Sequence, residues 1–219
     1  MSNLILNSAF IAVCSLLFSI PLFPQTASNS ATGLNYSSVQ NAVNAATNNY
    51  TVFVLANEVN NGISVTGKTN LVLTKAASFS GNPLLKSSTL GSGTGITVSA
   101  SRSVVISNLC IAEYGQGIGL ASDSNRVTGC EIRSNAGYGV YMTVSTSRGN
   151  IVASNTITAL NGYSGIEMNT TASNNTAISN HVYGSQYGAT LGEFGATASN
   201  VLLNNHFDEN WNIGVKIGP

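Results

Sequence analysis

Two short motifs return along the chain with one shared period, and this limits the fold more than any other feature of the sequence. A glycine followed by alternating apolar residues recurs as Gly62-Ile-Ser-Val, Gly95-Ile-Thr-Val, Gly117-Ile-Gly-Leu, Gly139-Val-Tyr-Met, Gly165-Ile-Glu-Met, Gly188-Ala-Thr-Leu and Gly214-Val-Lys-Ile, at intervals of 33, 22, 22, 26, 23 and 26 residues. A second series runs in phase with it: Ser103-Val-Val-Ile-Ser-Asn108-Leu-Cys, Asn125-Arg-Val-Thr-Gly-Cys130-Glu-Ile, Asn150-Ile-Val-Ala-Ser-Asn155-Thr-Ile, Asn175-Thr-Ala-Ile-Ser-Asn180-His-Val and Asn200-Val-Leu-Leu-Asn-Asn205-His-Phe. Such self-similarity marks stacked structural repeats. Each period holds short alternating segments set between Gly, Asn and Ser, which is strand and turn chemistry. No segment can bury its apolar side alone, but strands stacked about 4.8 Å apart share one continuous core. Within the repeats no segment keeps a 3.6 period for ten residues, so a helical solenoid is excluded.

Composition narrows the function classes. The chain has 219 residues, 8 Lys+Arg against 8 Asp+Glu, and only 7% charged residues, while Asn, Ser, Thr and Gly make up 99 positions. Zero net charge argues against nucleic acid, which needs a basic face. A 43% hydrophobic fraction is too high for a disordered chain. What remains is one repetitive body coated with amides and hydroxyls.

The apolar run Ile11–Phe23 followed by Pro-Gln-Thr-Ala-Ser-Asn-Ser-Ala reads as a secretory leader, with Ser28 and Ser30 as the small residues before a cut near Ser30 or Ala31. No Lys or Arg precedes the run, and the alternative is a buried strand or helix capping the domain. The expected organisation is a leader over 1–30, an N-terminal cap helix and first strand over 31–61, and repeats over 62–219. Leader removal leaves no membrane span, so the protein is expected to be secreted, periplasmic or on the cell surface.

Alignment of the rungs gives columns. Asn108, Cys130, Asn155, Asn180 and Asn205 are expected to stack, since Asn tolerates a left-handed corner and its amide bonds the next rung. Cys110 falls in the apolar slot of Ile132, Ile157, Val182 and Phe207, which puts it beyond the roughly 7 Å Cα limit for a bridge to Cys130. Two buried free thiols are expected. Leu109, Glu131, Thr156, His181 and His206 form an outward column, with the two histidines about 5 Å apart. Glu131 lies two rungs from His181, so a third ligand is missing and no metal site is expected. Before the first rung, Ser37–Thr47 reads as an amphipathic helix with Val39, Ala42, Val43 and Ala46 on its apolar side, Ser37 as cap and Gln40 three residues on. It would cover the open end of the solenoid. The long interval between Gly62 and Gly95 leaves Ser78–Thr94 open as a loop or a distorted coil. The chain stops at Ile217-Gly-Pro219 just after a glycine motif, so either a longer solenoid or a second chain covering the C-terminal rung is expected.

The helix Ser37–Thr47 leading into Thr51-Val-Phe-Val-Leu-Ala-Asn57, followed by the Gly-Ile and Asn-x-Val-x-x-Asn-x-Ile rungs, resembles the right-handed parallel β-helix of the pectate-lyase-like superfamily. The short Asn-bearing repeats are most similar to NosD-type and generic right-handed β-helix repeat proteins. The resemblance spans roughly residues 34 to 217 and implies a single-stranded, all-β solenoid of about seven rungs with an N-terminal helical cap. It also implies a substrate groove over the glycine-led strands, whose outward residues are Ser64, Thr97, Gly119, Tyr141, Glu167, Thr190 and Lys216. Tyr138, Tyr163, Tyr187 and Trp211 precede successive strands and could stack sugar rings, or they could simply cover the strand-entry turns. The substrate-binding set is therefore Tyr138, Tyr141, Glu167, Tyr187, Thr190 and Trp211.

Of the few acids, Glu167 with Asp123 or Glu193 could be neighbours near that groove. The paired-acid elements of polygalacturonases, the acidic rungs that hold Ca2+ in a lyase and the Asp-Pro-His element of alginate epimerases are all absent. If the protein is a lyase, Glu167, Asp123 and Lys216 supply the metal, acid or base roles, and Ca2+ is the implied cofactor. Two function classes follow: a secreted solenoid that binds or acts on a polysaccharide, and a non-catalytic surface, adhesion or assembly module. The aromatic row favours the first and the scarcity of charge favours the second.

Overall fold

A computed structural model of the chain describes residues 25–142, 144–158, 162–169, 171–193 and 198–218. Over these described residues the protein is an all-β right-handed parallel solenoid of about six turns with one short helix. Each turn lays one strand on each of three sheets, and six steps separate the seven parallel strands stacked in each. The glycine-led sheet comprises Ile63–Thr66, Ser92–Arg102, Tyr114–Asp123, Val140–Met142, Ser164–Met168, Tyr187–Leu191 and Ile213–Ile217. The second sheet begins at Thr51–Val54 and ends at Val201–Leu203; the third runs from Glu58–Asn60 to His206–Asp208. Among the described residues no helix is long and apolar enough to cross a membrane.

Alternation decides what each strand buries. On the glycine-led sheet Ile63, Ile96, Ile118, Val140, Ile166 and Ala189 stack inward in register, and the next inward column runs Val65, Val98, Leu120, Met142, Met168. Ser64, Thr97, Gly119, Tyr141, Glu167, Thr190 and Lys216 pair successively between them. The motif glycines are required by close approach: a Cβ on Gly117 would lie 2.3 Å from the Gly139 carbonyl oxygen, and one on Gly188 2.4 Å from that of Gly214.

Each turn has two corners built alike. A residue with positive φ (Gly149, Asn174, Ser199 before the second sheet; Gly129, Ser154, Ser179, Asn204 before the third) is followed by the ladder residue. The left-handed backbone thus belongs to the preceding residue, not to the ladder asparagine, whose amide is freed for bonding. Asn150 Oδ1 accepts from the backbone N–H and side-chain amide of Asn125, and its Nδ2 donates to Ser122 O at 3.0 Å. Asn175 and Asn180 repeat this arrangement, and Asn155 does so except that Cys130 offers it only a backbone N–H. Buried backbone groups at the corners, which no neighbouring strand can reach, are satisfied in this way.

Register corrects one column. Cys110 pairs with Glu131 and Ile111 with Ile132, so Leu109, not Asn108, precedes Cys130, Asn155, Asn180 and Asn205. Asn108 instead takes the positive-φ corner at φ 54. Matching asparagine to asparagine slipped this rung by one residue; burying Leu109 and Ile111 decides the true register. The outward column is accordingly Cys110, Glu131, Thr156, His181 and His206. Cys110 and Cys130 are buried free thiols, and burial pushes the Cys130 thiol up to about 12. The Gly62–Gly95 interval is a single rung, since Ile63 pairs with Ile96 and residues 84–87 form a third-sheet strand; its extra length is divided between the turns over residues 76–83 and 88–91.

The helix spans Val39–Ala45 and buries Val39, Ala42 and Val43. Its cap is Ser38, whose Oγ accepts from Asn41 N–H, and not Ser37. Gln40 reaches across to the first glycine-led strand, accepting from Ser64 N–H and donating to Ser64 O. Buried Glu58 accepts from Val39 N–H and Thr26 Oγ1, placing its carboxylate at the helix start.

The apolar run Ile11–Phe23 expected to form a leader, with Cys14, lies outside the described residues. Ala27–Asn29, however, is a strand antiparallel to Thr51–Val54, and Ala27 is fully buried. A cut near Ser30 would strip this strand from its sheet, so a cut that leaves the fold whole falls before Thr26.

Candidate functional site

Glu167 is the fourth residue of Ser164–Met168, between inward-facing Ile166 and Met168, yet its outward side chain is fully covered. Asn169 Nδ2 donates to Oε1 at 2.6 Å, and Oε2 has no hydrogen-bond partner among the described residues. Burial pushes this carboxyl up to about 7, against the opposing pull of the Asn169 and Thr190 side chains. Near neutrality Glu167 is therefore balanced between acid and carboxylate.

A second carboxyl near enough to act on it electrostatically is shifted the other way. Glu193, just past the strand Tyr187–Leu191, accepts from Tyr163 Oη at 2.5 Å and forms an ion pair with Lys216. Partial burial alone would raise Glu193, but the Lys216 and Tyr163 hydrogen bonds outweigh it and hold the carboxyl below its ordinary range. Lys216 also lies 4.6 Å above the Tyr187 ring.

Tyrosine rings line this pair of acids. Tyr138 and Tyr163 meet edge to face at 5.6 Å, Tyr163 and Tyr187 at 5.2 Å, and Tyr141 lies 5.9 Å from Tyr138. Tyr141 rests over Gly119, where a Cβ would fall 2.7 Å from the ring. Thr190 is buried and its hydroxyl donates to Ser164 Oγ. Trp211 is 66% exposed and shows no ring contact with Tyr187, so it stands apart from the row.

The structure thus brings together Glu167, Lys216, Tyr138, Tyr141, Tyr187 and Thr190. Asp123 lies elsewhere. Its strand is two rungs from that of Glu167, about 10 Å along the axis, and it sits four residues beyond Gly119 in the Glu167 column. There it faces Arg102 at 3.8 Å and lines an open corner groove with Arg148 and Thr146. Glu193, one of the two acids expected as a possible neighbour of Glu167, lies just past the strand in no repeated position, and Tyr163, expected only to stack a sugar or cover a turn, donates to it. Among the described residues, the three-membered cluster of ligand-type side chains is His181, His206 and Asp208 on the third sheet, not the acids beside Glu167.

The family model described as right handed beta helix region matches residues 25–182 and 116–218. The chain belongs to the right-handed β-helix family. Among solved structures, this β-helix is similar to ORF18 of Geobacillus virus E2, with 16% identity, a TM-score of 0.60, and 94% of this chain and 46% of that chain covered. It is also similar to the Dettilon tailspike protein (gp208), with 11% identity, a TM-score of 0.49, and 77% and 39% covered. The alginate lyase from Paenibacillus sp. str. FPU-7 shares 12% identity at a TM-score of 0.41, with 83% and 96% covered. The β-helix spans about half the length of the viral protein, and at these identities the likeness concerns the fold alone. No curated protein matches the sequence.

Proposed function

We propose that this β-helix is a secreted protein that binds and cleaves a polysaccharide along its glycine-led sheet. The observation that carries the reading is a fully buried carboxyl, Glu167, near a second one, Glu193, that is bound by Lys216 and Tyr163, among the tyrosine rings. Hydrolysis of a glycosidic bond needs one carboxyl that keeps its proton and one that has lost it. Glu167 is the proton donor to the leaving oxygen, and Glu193, kept ionised by Lys216 and Tyr163, is the base or nucleophile. Tyr138, Tyr141 and Tyr163 stack sugar faces, while Tyr187, itself buried, holds Tyr163 edge to face; Thr190 is buried beneath the row and Trp211 stands apart from it. A bound chain must displace part of the cover over Glu167 before proton transfer.

If the reaction is instead a Ca2+-assisted elimination, Lys216 is the candidate base, and Asp123 lies too far along the groove to share an ion with Glu167. The same reading places a leader within residues 1–30 that ends before Thr26, the helical cap over 31–61 and the repeats over 62–219. A second reading, a non-catalytic surface, adhesion or assembly module, is favoured by the complete cover over Glu167 and by the satisfied Lys216–Glu193 pair.

The test is incubation with neutral and acidic polysaccharides, following reducing ends, absorbance at 235 nm with and without Ca2+, and gel retardation. Expected is product from one polysaccharide class that falls at least about a hundredfold in Glu167→Gln, with retardation kept in that variant and lost in Tyr138→Ala. Retardation without product in the unaltered protein would favour the second reading. Silence in every assay would overturn polysaccharide recognition.

A further inference from the structure

We propose that His181, His206 and Asp208 hold one divalent transition-metal ion, with Zn2+ as the reference case, on the third sheet and separate from the sugar-facing site. His206 and Asp208 are two residues apart on one strand and so leave the sheet on the same face. His181 pairs with His206 from the preceding rung. Comparing rungs on the sequence offered Glu131 as the nearest acid of the column. The structure supplies a closer one, because Asp208 turns between the two rings.

The distances suit a common ion. His181 Nε2 is 2.8 Å from Asp208 Oδ1, and His206 Nε2 is 3.3 Å from Oδ2. One ligand atom from each of the three residues lies within 4.8 Å of the others. Ligands placed tetrahedrally about 2.1 Å from zinc stand about 3.3 Å apart, so small side-chain rotations close the set. The His181 ring is held against Tyr183 at 4.7 Å and against His206 at 5.0 Å, which limits how far it must reorient. The three side chains remain 46%, 71% and 39% exposed, so an ion with its waters can reach them. Two imidazoles and one carboxylate suit zinc and its first-row neighbours, whereas Ca2+ and Mg2+ take oxygen ligands. Water fills the remaining positions. An ion so bound ties the strand His181–Tyr183 to His206–Asp208 and, by favouring the paired state, raises the unfolding temperature.

The chain contains only two histidines, so any imidazole–metal signature from the untagged full-length protein comes from this site. Titration calorimetry with Zn2+ and electron paramagnetic resonance with Cu2+ provide the test, with circular dichroism confirming that each variant is folded. Expected are one Zn2+ per chain, nitrogen coupling in the Cu2+ spectrum, and affinity weakened at least tenfold by His206→Ala and by Asp208→Asn. Absence of saturable binding at one equivalent would overturn the proposal. So would unchanged affinity in His206→Ala, which would place the ion elsewhere, or in Asp208→Asn, which would reduce the site to a pair of imidazoles.

Discussion

Asn150→Ala is expected to destabilise the protein by about 4 kcal/mol and lower its melting temperature by on the order of 10 °C. The amide of Asn150 is fully buried and closes a corner between rungs. Its removal leaves Asn125 N–H without the 2.9 Å acceptor and Ser122 O without the 3.0 Å donor. A buried backbone group left unpaired costs about 1–3 kcal/mol, and two are created. Asn205→Ala provides the comparison, because Asn205 makes equivalent bonds from a partly buried site where water can replace the amide. Its loss is expected to be roughly half as large. Thermal unfolding of both variants followed by circular dichroism checks this; equal, small losses would mean that the ladders carry little of the fold's stability.

The second large effect depends on pH. Glu167→Gln is expected to melt roughly 6–12 °C above the unaltered protein at pH 8 and near it at pH 4.5. Burial raises the folded carboxyl from the ordinary 4.5 to about 7. Between those values the folded state holds a proton that the unfolded chain has released, so stability falls as pH rises through this window. The full effect is about 3 kcal/mol above pH 7. A glutamine presents the same acceptor to Asn169 and carries no charge to bury, so it escapes the loss. The sign is opposite to that of most acids, whose folded values are lowered and whose stabilising effect disappears on acidification. Melting curves from pH 4 to 9 on both proteins decide it; parallel curves would show that Glu167 is not held in a poorly hydrated place.

What repeats in the sequence is what could be read from it. Alternation in the glycine-led strands determines which side chains face in, and the column from Ser64 to Lys216 follows directly from their spacing. The single slip, at Asn108, came where two neighbouring positions both accept asparagine, one for its backbone and one for its amide. Both acids were legible as candidate neighbours, but the bond from Tyr163 to Glu193 was not. Glu167 stands in a repeated slot and shows as an acid among hydroxyls. Glu193 and Tyr163 stand outside the strands, and their meeting depends on how the chain leaves one rung and enters the next. Asp208 was missed for a related reason: its partner His181 is 27 residues away, and the register alone does not show that its carboxylate turns toward both imidazoles.

The most direct test of the proposed site is a carboxyl titration by carbon-13 NMR on glutamate-labelled protein, in which six glutamates report. Expected are one resonance with a midpoint near pH 7 that disappears in Glu167→Gln, and one below the usual glutamate range that moves upward in Tyr163→Phe. If all six titrate together between about pH 4 and 5, the two acids are not in opposite states, and the glycine-led sheet has no acid–base pair with which to cleave a sugar chain.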